Sequence, residues 1–246
     1  MLNFLELVPR NLEELEIEAK ALLNEVPRLA GINIPDVLRL HTRSHDAAAL
    51  LLKAGITAIP HMRSMDRSVA QTLEIVSSLI DLGLNAVLIV SGDKPTSPDV
   101  FTYEVTPIKV IEALKQKFPA LNVYGALDPY RSSLKHELAY CEAKREAGAD
   151  GFFTQPFFDP AFARLFLEQL EGTEVFVGMS PVLSEKSLNY WKTKNMAVFP
   201  KQFQLNLDWN CALGKSIVEV AQSLGHHTYM MPITVSAEAY VKGVLG

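Results

Sequence analysis

The sequence predicts an α/β protein built as a single (β/α)8 TIM barrel, on three observations. Short β-rich apolar runs recur eight times, segments with helical spacing separate them, and the series fills 246 residues. Strict alternation of strand and helix implies parallel strands, and eight such units in about 250 residues imply closure. An open doubly wound sheet is the structural alternative, and no GxGxxG follows any strand to support it.

The elements follow in order. "NFLELVP" (residues 3–9) alternates, with Phe4 and Glu6 on one face and Leu5 and Leu7 on the other. "NLEELEIEAKALLNEV" then puts Leu12, Leu15, Ala19 and Leu22 on one helical face and its glutamates mostly elsewhere. "GINIP" (31–35), "TAIPHM" (57–62), "NAVLIVS" (85–91) and "LNVYGAL" (121–127) read as the next four strands. Between and after them lie the helical segments "HDAAALLLKAG", "SVAQTLEIVSSLIDLG", "TPIKVIEALKQKF" and "SLKHELAYCEAKREAG", three of them closed by a Gly where a helix C-cap wants one. "GFFTQPFF" (151–158), "EVFVGMS" (174–180) and "HTYMMPI" (227–233) complete the strands, with "NCALGKSIVEVAQSLG" the helix before the last. No linker, charge block or low-complexity tract divides residues 1–246, so one domain is expected.

With 48% hydrophobic residues and a net charge of −5 spread along the chain, the composition suits a large core and gives no electrostatic footprint for nucleic acid or an anionic membrane. A small-molecule substrate is the expectation. Cys141 and Cys211 are far apart and lack ligand spacing, so they read as buried thiols in a reducing compartment. The N-terminus carries no basic region before its first acidic residue and no run is long enough to span a bilayer, so a cytoplasmic location is expected.

In a barrel the active site lies at the C-terminal strand ends. Those ends offer Glu6, Asn33, Asp36, His61, Arg63, Asp93, Lys94, Tyr124, Asp128, Gln155, Asp159, Ser180, Ser184 and Thr234. A carboxylate facing the helix layer would be costly, so Glu6 is expected to point into the lumen. Desolvation there raises its pKa and suits it to general acid work near neutral pH. The structural alternative is an ion pair with Arg39 or Arg63. In "VSGDKP" (90–95), Asp93 is either a helix cap or an anion facing a ligand's donor edge. In "FFTQPFFD" (152–159), Gln155 is an amide among aromatics, satisfied by backbone or by a ligand. His41 and His45 lack a third ligand, and no metal is expected.

These motifs resemble the methylenetetrahydrofolate reductase family. "FLELVPR", "IPHMRSMD", "VSGDKP", "EAGADGFFTQPFFD" and "VGMSPV" are similar, in order, to the family's FEFFPP, PHLT, LRGD, DAGAD(x)ITQFFFD and GI(M/L)P patterns. The resemblance implies FAD at the strand C-termini and reduction of 5,10-methylenetetrahydrofolate to 5-methyltetrahydrofolate, with NADH or NADPH as hydride donor. It implies that Glu6 is the acid that protonates folate N10, that Asp93 lies near flavin and pterin, and that Gln155 reads the pterin. On the cofactor side it sets Tyr124, Glu137 and Lys144, together with His61, Asp128 and Ala149. On the substrate side Glu185 stands where the family often has a stacking aromatic. The chain departs from the pattern at Ser91, where an Arg usually precedes GD, at Asp128, where a His is usual, and in "INIPDVLRL", which replaces a Thr-bearing second strand. Arg39, Arg63 and Arg131 are the cations available to compensate. The rival expectations are a flavin-independent reductase of the same folate and a non-reducing folate-binding subunit. A homo-oligomer or a redox or methyltransferase partner is left open.

Overall fold

Eight parallel strands pair in sequence order, and the eighth closes onto the first. The computed structural model describes residues 1–93, 101–233 and 235–246, so Lys94, Thr234 and the end of "VSGDKP" lie outside the described residues. The strands are β1 (Asn3–Glu6), β2 (Gly31–Ile34), β3 (Ala58–Arg63), β4 (Ala86–Val90), β5 (Asn122–Leu127), β6 (Gly151–Thr154), β7 (Glu174–Met179) and β8 (His227–Met230). Among the described residues the helices are α1 (Leu12–Glu25), α2 (Ser44–Lys53), α3 (Val69–Ile80), α4 (Pro107–Lys117), α5 (Leu134–Glu146), α6 (Pro160–Leu167), α7 (Glu185–Lys194), α8 (Leu207–Ser223) and α9 (Ala237–Leu245).

Alternation along each strand makes two cores. Leu5, Leu7, Ile32 and Phe152 face outward and pack with the helices. Phe4, Tyr124, Phe153, Phe176 and Tyr229 face inward and fill the lumen. Within the lumen Phe153 and Phe176 stack face to face at 4.2 Å, and Phe4 meets Phe176 edge-on at 5.5 Å. Such pairs contribute about 0.5–1.5 kcal/mol each beyond their buried area.

Several strands end earlier than the apolar runs suggest. The run at 151–158 is strand only to Thr154, because Pro156 cannot donate to a ladder and the chain leaves the sheet. Phe157 then packs on Phe162 and Phe166, while Phe158 joins a separate cluster with Trp191 and Phe199. Side chains stop the helices fraying at the same end of the barrel. Ser68 and Gln71 form a reciprocal capping box on α3, and Asp159 and Ser184 cap α6 and α7. Those two strand-end residues are thus helix caps rather than site groups. Ser180 is likewise spent, donating to the Met231 carbonyl at 2.7 Å.

Candidate active site

Two cavities open side by side at the C-terminal strand ends, where the sequence places the chemistry. The larger, about 510 Å³, spans the ends of β2, β3, β4 and β5. The smaller, about 280 Å³, lies over the lumen against β1, β6 and β8. His61, Val90, Asp93, Ala126, Leu127 and Gln155 line both, so ligands in the two cavities would touch across a shared wall.

Glu6 is the last residue of β1, in register with Asn33, and lines the smaller cavity. Phe4, one step below on the same face, is core, which confirms the inward orientation. Among the described residues no arginine pairs with Glu6. Its partner is instead the Tyr229 hydroxyl of β8, which donates to Oε2. Burial raises the Glu6 pKa to about 7, and the Tyr229 hydrogen bond offsets part of that rise. The ion-pair alternative is therefore corrected: Arg63 spends its charge on Asp66 and on the Asp93 carbonyl, and Arg39 lies at the rim of a neighbouring groove.

His61, on β3, is buried, and burial pulls its pKa down to about 3, so it is neutral at physiological pH. Asn33 Nδ2 lies 3.3 Å from His61 Nε2. With Asn33 as donor, His61 carries its proton on Nδ1. A neutral imidazole beside Glu6 leaves the carboxyl group without a cation to hold it ionised.

Asp93 follows Gly92, whose φ of +85° turns the chain sharply out of β4. Asp93 is exposed and lines both cavities. Gln155 follows β6, and its backbone N–H is bonded to the Leu127 carbonyl at 2.8 Å. Its side-chain amide has no hydrogen-bond partner among the described residues and faces both cavities. Among the described residues no backbone group satisfies the amide among aromatics, which lines both cavities.

On the larger cavity's β5 side, Lys144 reaches back from α5 to donate to the Ala126 carbonyl and lies 3.9 Å from the Tyr140 ring centre. Burial lowers its pKa to about 8. Asp128 lines the same wall, its carboxylate accepting from Tyr130 N at 3.0 Å and its pKa pushed up by burial. Glu137 is fully buried behind that wall. One of its oxygens accepts from Asp128 N at 2.9 Å and the other from Arg131 at 2.8 Å. It fixes the wall rather than forming it.

Three expected site residues lie elsewhere. Tyr124 pairs with Gly151, the first residue of β6, and its ring packs low in the lumen on Phe153 and Phe176. Glu174 and Asp150, at the strands' N-terminal side, help raise its pKa, so its hydroxyl lies toward the barrel end away from both cavities. Ala149 precedes β6 and hydrogen-bonds to the C-terminal turn of α5, at that same far end. Glu185 is exposed in the first turn of α7 and lines neither cavity. The aromatic wall on that side comes from Tyr190 and Trp191, one to two turns further on. Tyr229, Tyr190 and Trp191 were missed because nothing in "HTYMMPI" or "LNYWKT" marks one aromatic as site and the next as core. The alternation of β8 was the one available signal for Tyr229. Among the described residues no cluster of three or more His, Cys, Asp or Glu forms a metal site. Cys141 and Cys211 are free and buried.

A sequence model of the family described as Methylenetetrahydrofolate reductase matches residues 36–211. That stretch includes His61, Asp93 and Gln155, while Glu6 and Tyr229 fall outside it. Curated relatives include a "Probable methylenetetrahydrofolate reductase (NADPH)" of Caenorhabditis elegans, 23% identical over 198 residues, covering 76% of this chain and 30% of the relative. Another is a 5,10-methylenetetrahydrofolate reductase of Pectobacterium carotovorum subsp. carotovorum, 25% identical over 57% of this chain and 49% of the relative. The chain thus spans about half the length of such relatives or less. Among solved structures, a 2,3-dimethylmalate lyase superposes with TM-score 0.59 at 12% identity, covering 95% of this chain and 76% of the other. A dihydropteroate synthase from Thermus thermophilus superposes with TM-score 0.54 at 16% identity, covering 99% of this chain and 90% of the other. Likeness at that identity speaks for the barrel fold alone.

Proposed function

The chain belongs to the methylenetetrahydrofolate reductase family, and from that premise we propose that it reduces 5,10-methylenetetrahydrofolate to 5-methyltetrahydrofolate with electrons from NADH or NADPH. The observation that carries this reading is Glu6: a carboxyl group whose pKa burial raises to about 7, at the edge of an apolar lumen, in the same cavity as the Gln155 amide, which has no partner among the described residues and suits a pterin edge.

The residues also fit FAD. The larger cavity has the volume of a small-ligand site, apolar lining from Ile89, Val90 and Leu127, and cations in Arg63, Arg131 and Lys144 for a diphosphate. When bound there, the flavin would supply a two-electron carrier between nicotinamide and folate. The chain's own residues do the rest. Gln155 donates and accepts at the pterin's amide edge, and Asp93 accepts from its N–H groups. Glu6, about half protonated at neutral pH, gives its proton to folate N10 as the imidazolidine ring opens. Tyr229 holds Oε2, which leaves Oε1 facing the substrate. The lumen phenylalanines exclude water beneath the reacting carbon. Buried, reduced Cys141 and Cys211 suit a cytoplasmic setting.

The test is a spectrum and an assay on the purified protein. We expect flavin absorbance near 450 nm, as isolated or after adding FAD, and NAD(P)H oxidation that depends on methylenetetrahydrofolate. A colourless protein that turns over the folate would remove FAD and keep the reaction. Failure of NADH, NADPH and an artificial dye alike to support folate turnover would remove the reductase reading.

A further inference from the structure

Arg63 is a deeply buried and rigidly held cation of the larger cavity. It ends β3, and its side chain is 6% exposed. Nε sits 3.0 Å from both carboxylate oxygens of Asp66, and Nη2 donates to the Asp93 carbonyl at 2.6 Å. Asp66 is braced in turn by Arg43, which also holds Asp36 at 2.7 Å. The guanidinium lies flat on Gly92: a Cβ placed there would meet its Cζ at 2.5 Å. The remaining nitrogen, Nη1, has no hydrogen-bond partner among the described residues, and Arg63 lines the cavity. Across the end of β4 stand Lys144 and Arg131. A buried guanidinium with one edge on a carboxylate and one N–H pair left over is a pre-ordered anion donor.

We propose that Arg63 recognises the diphosphate of a dinucleotide bound in the β2–β5 cavity through Nη1, while its Nη2 holds Asp93 in place, so that cofactor occupancy and Asp93 placement depend on one side chain. Arg63 thereby supplies, from β3, the cation that this chain lacks at Ser91. The inference rests on the reading of this cavity as a cofactor site. The shared chemistry is a dinucleotide diphosphate, carried by FAD and by NAD(P)H alike.

The experiment titrates the whole protein and its Arg63→Gln and Arg63→Lys variants with FAD, NADPH, ADP and inorganic pyrophosphate by calorimetry. Thermal melts check that each variant is folded. We expect Arg63→Gln to weaken the dinucleotide that binds, and also ADP and pyrophosphate, at least tenfold. Arg63→Lys keeps the charge but not the fork, and should fall between the two. FAD or NADPH as the Arg63-dependent ligand tells which dinucleotide the site takes. If the unaltered protein binds NADPH through Arg63 but not FAD, the inference stands and the flavin reading falls; if it binds ADP or pyrophosphate but neither dinucleotide, both fall. If it binds FAD and both variants bind it within twofold of that affinity, the inference is overturned and the flavin reading stands. If it binds none of the four ligands, both fall. Should Arg63→Gln not fold, the Lys variant decides alone: affinity equal to the unaltered protein's overturns the proposal, and a loss of threefold or more upholds it.

Discussion

Glu6 sits between two opposing influences, burial that favours its neutral form and a tyrosine hydroxyl that favours its anion. Because its folded pKa is about 7 against an ordinary 4.5, the folded protein holds a proton that the unfolded chain has released between those values. Stability contributed by Glu6 is thus full below pH 4.5 and is lost as pH rises through 7, by about 3 kcal/mol in all. Glu6→Gln removes that loss: the variant should be little different at pH 5 and more stable than the parent by about 1–3 kcal/mol at pH 8. Denaturant unfolding at the two pH values checks it, and a difference that does not grow with pH refutes it. Tyr229→Phe deletes the hydrogen bond that, among the described residues, favours the anion, so the Glu6 pKa rises. The alkaline limb of folate turnover should move upward by roughly half to one unit, the worth of a hydrogen bond of about 1 kcal/mol. A pH–rate profile with its limb unmoved would separate Tyr229 from the acid. Glu6 was legible in the sequence because alternation fixes a strand residue's face. Tyr229 was less so, since its partner lies 223 positions away and pairing across the closure of a barrel has no local signal.

Strands and helices set how precisely those groups are placed. Gly178 on β7 lies so close to β6 that a Cβ would collide with the Thr154 carbonyl oxygen and stand 2.9 Å from the Gln155 carbonyl carbon. Gly178→Ala must push β6 aside, costing about 1–3 kcal/mol of stability by overpacking. Folate affinity should fall more than cofactor affinity, because Gln155 moves with the strand. Unfolding curves and separate ligand titrations measure the two effects. Asn210 of α8 ties down the segment after β7, accepting from Val182 N at 2.9 Å and donating to the Gln204 and Asn206 carbonyls at 3.0 and 2.8 Å. Asn210→Ala leaves a buried N–H unpaired and should cost about 1–3 kcal/mol, read in the same unfolding curves. The order and identity of the eight strands were legible because apolar runs and helical spacing are local. Their ends were not: "GFFTQPFF" is apolar almost throughout, yet of its phenylalanines only Phe152 and Phe153 belong to the strand, while Phe157 and Phe158 serve two different clusters. Tyr124 was misplaced for a related reason. The sequence places it on β5 but not how far along the barrel axis, and the register with Gly151 puts it low.

The closed barrel brings the ends of β1 to β6 and of β8 to two adjoining cavities, one holding the buried Glu6 among polar and aromatic side chains and one lined by Arg63, Arg131 and Lys144 together with Asp36, Asp93 and Asp128. That division matches a reaction in which one ligand carries electrons and the other needs a proton. Asp93 and Gln155 line both cavities. If Glu6 serves only the folate, as its proton donor, the two half-reactions of Glu6→Gln, measured separately by rapid mixing, must part. NAD(P)H-dependent reduction of bound FAD should run at near the parent's rate, with reoxidation by methylenetetrahydrofolate slowed by roughly a hundredfold or more, the scale of general acid catalysis. Equal loss of both half-reactions, or folate reoxidation at the parent's rate, would contradict that role.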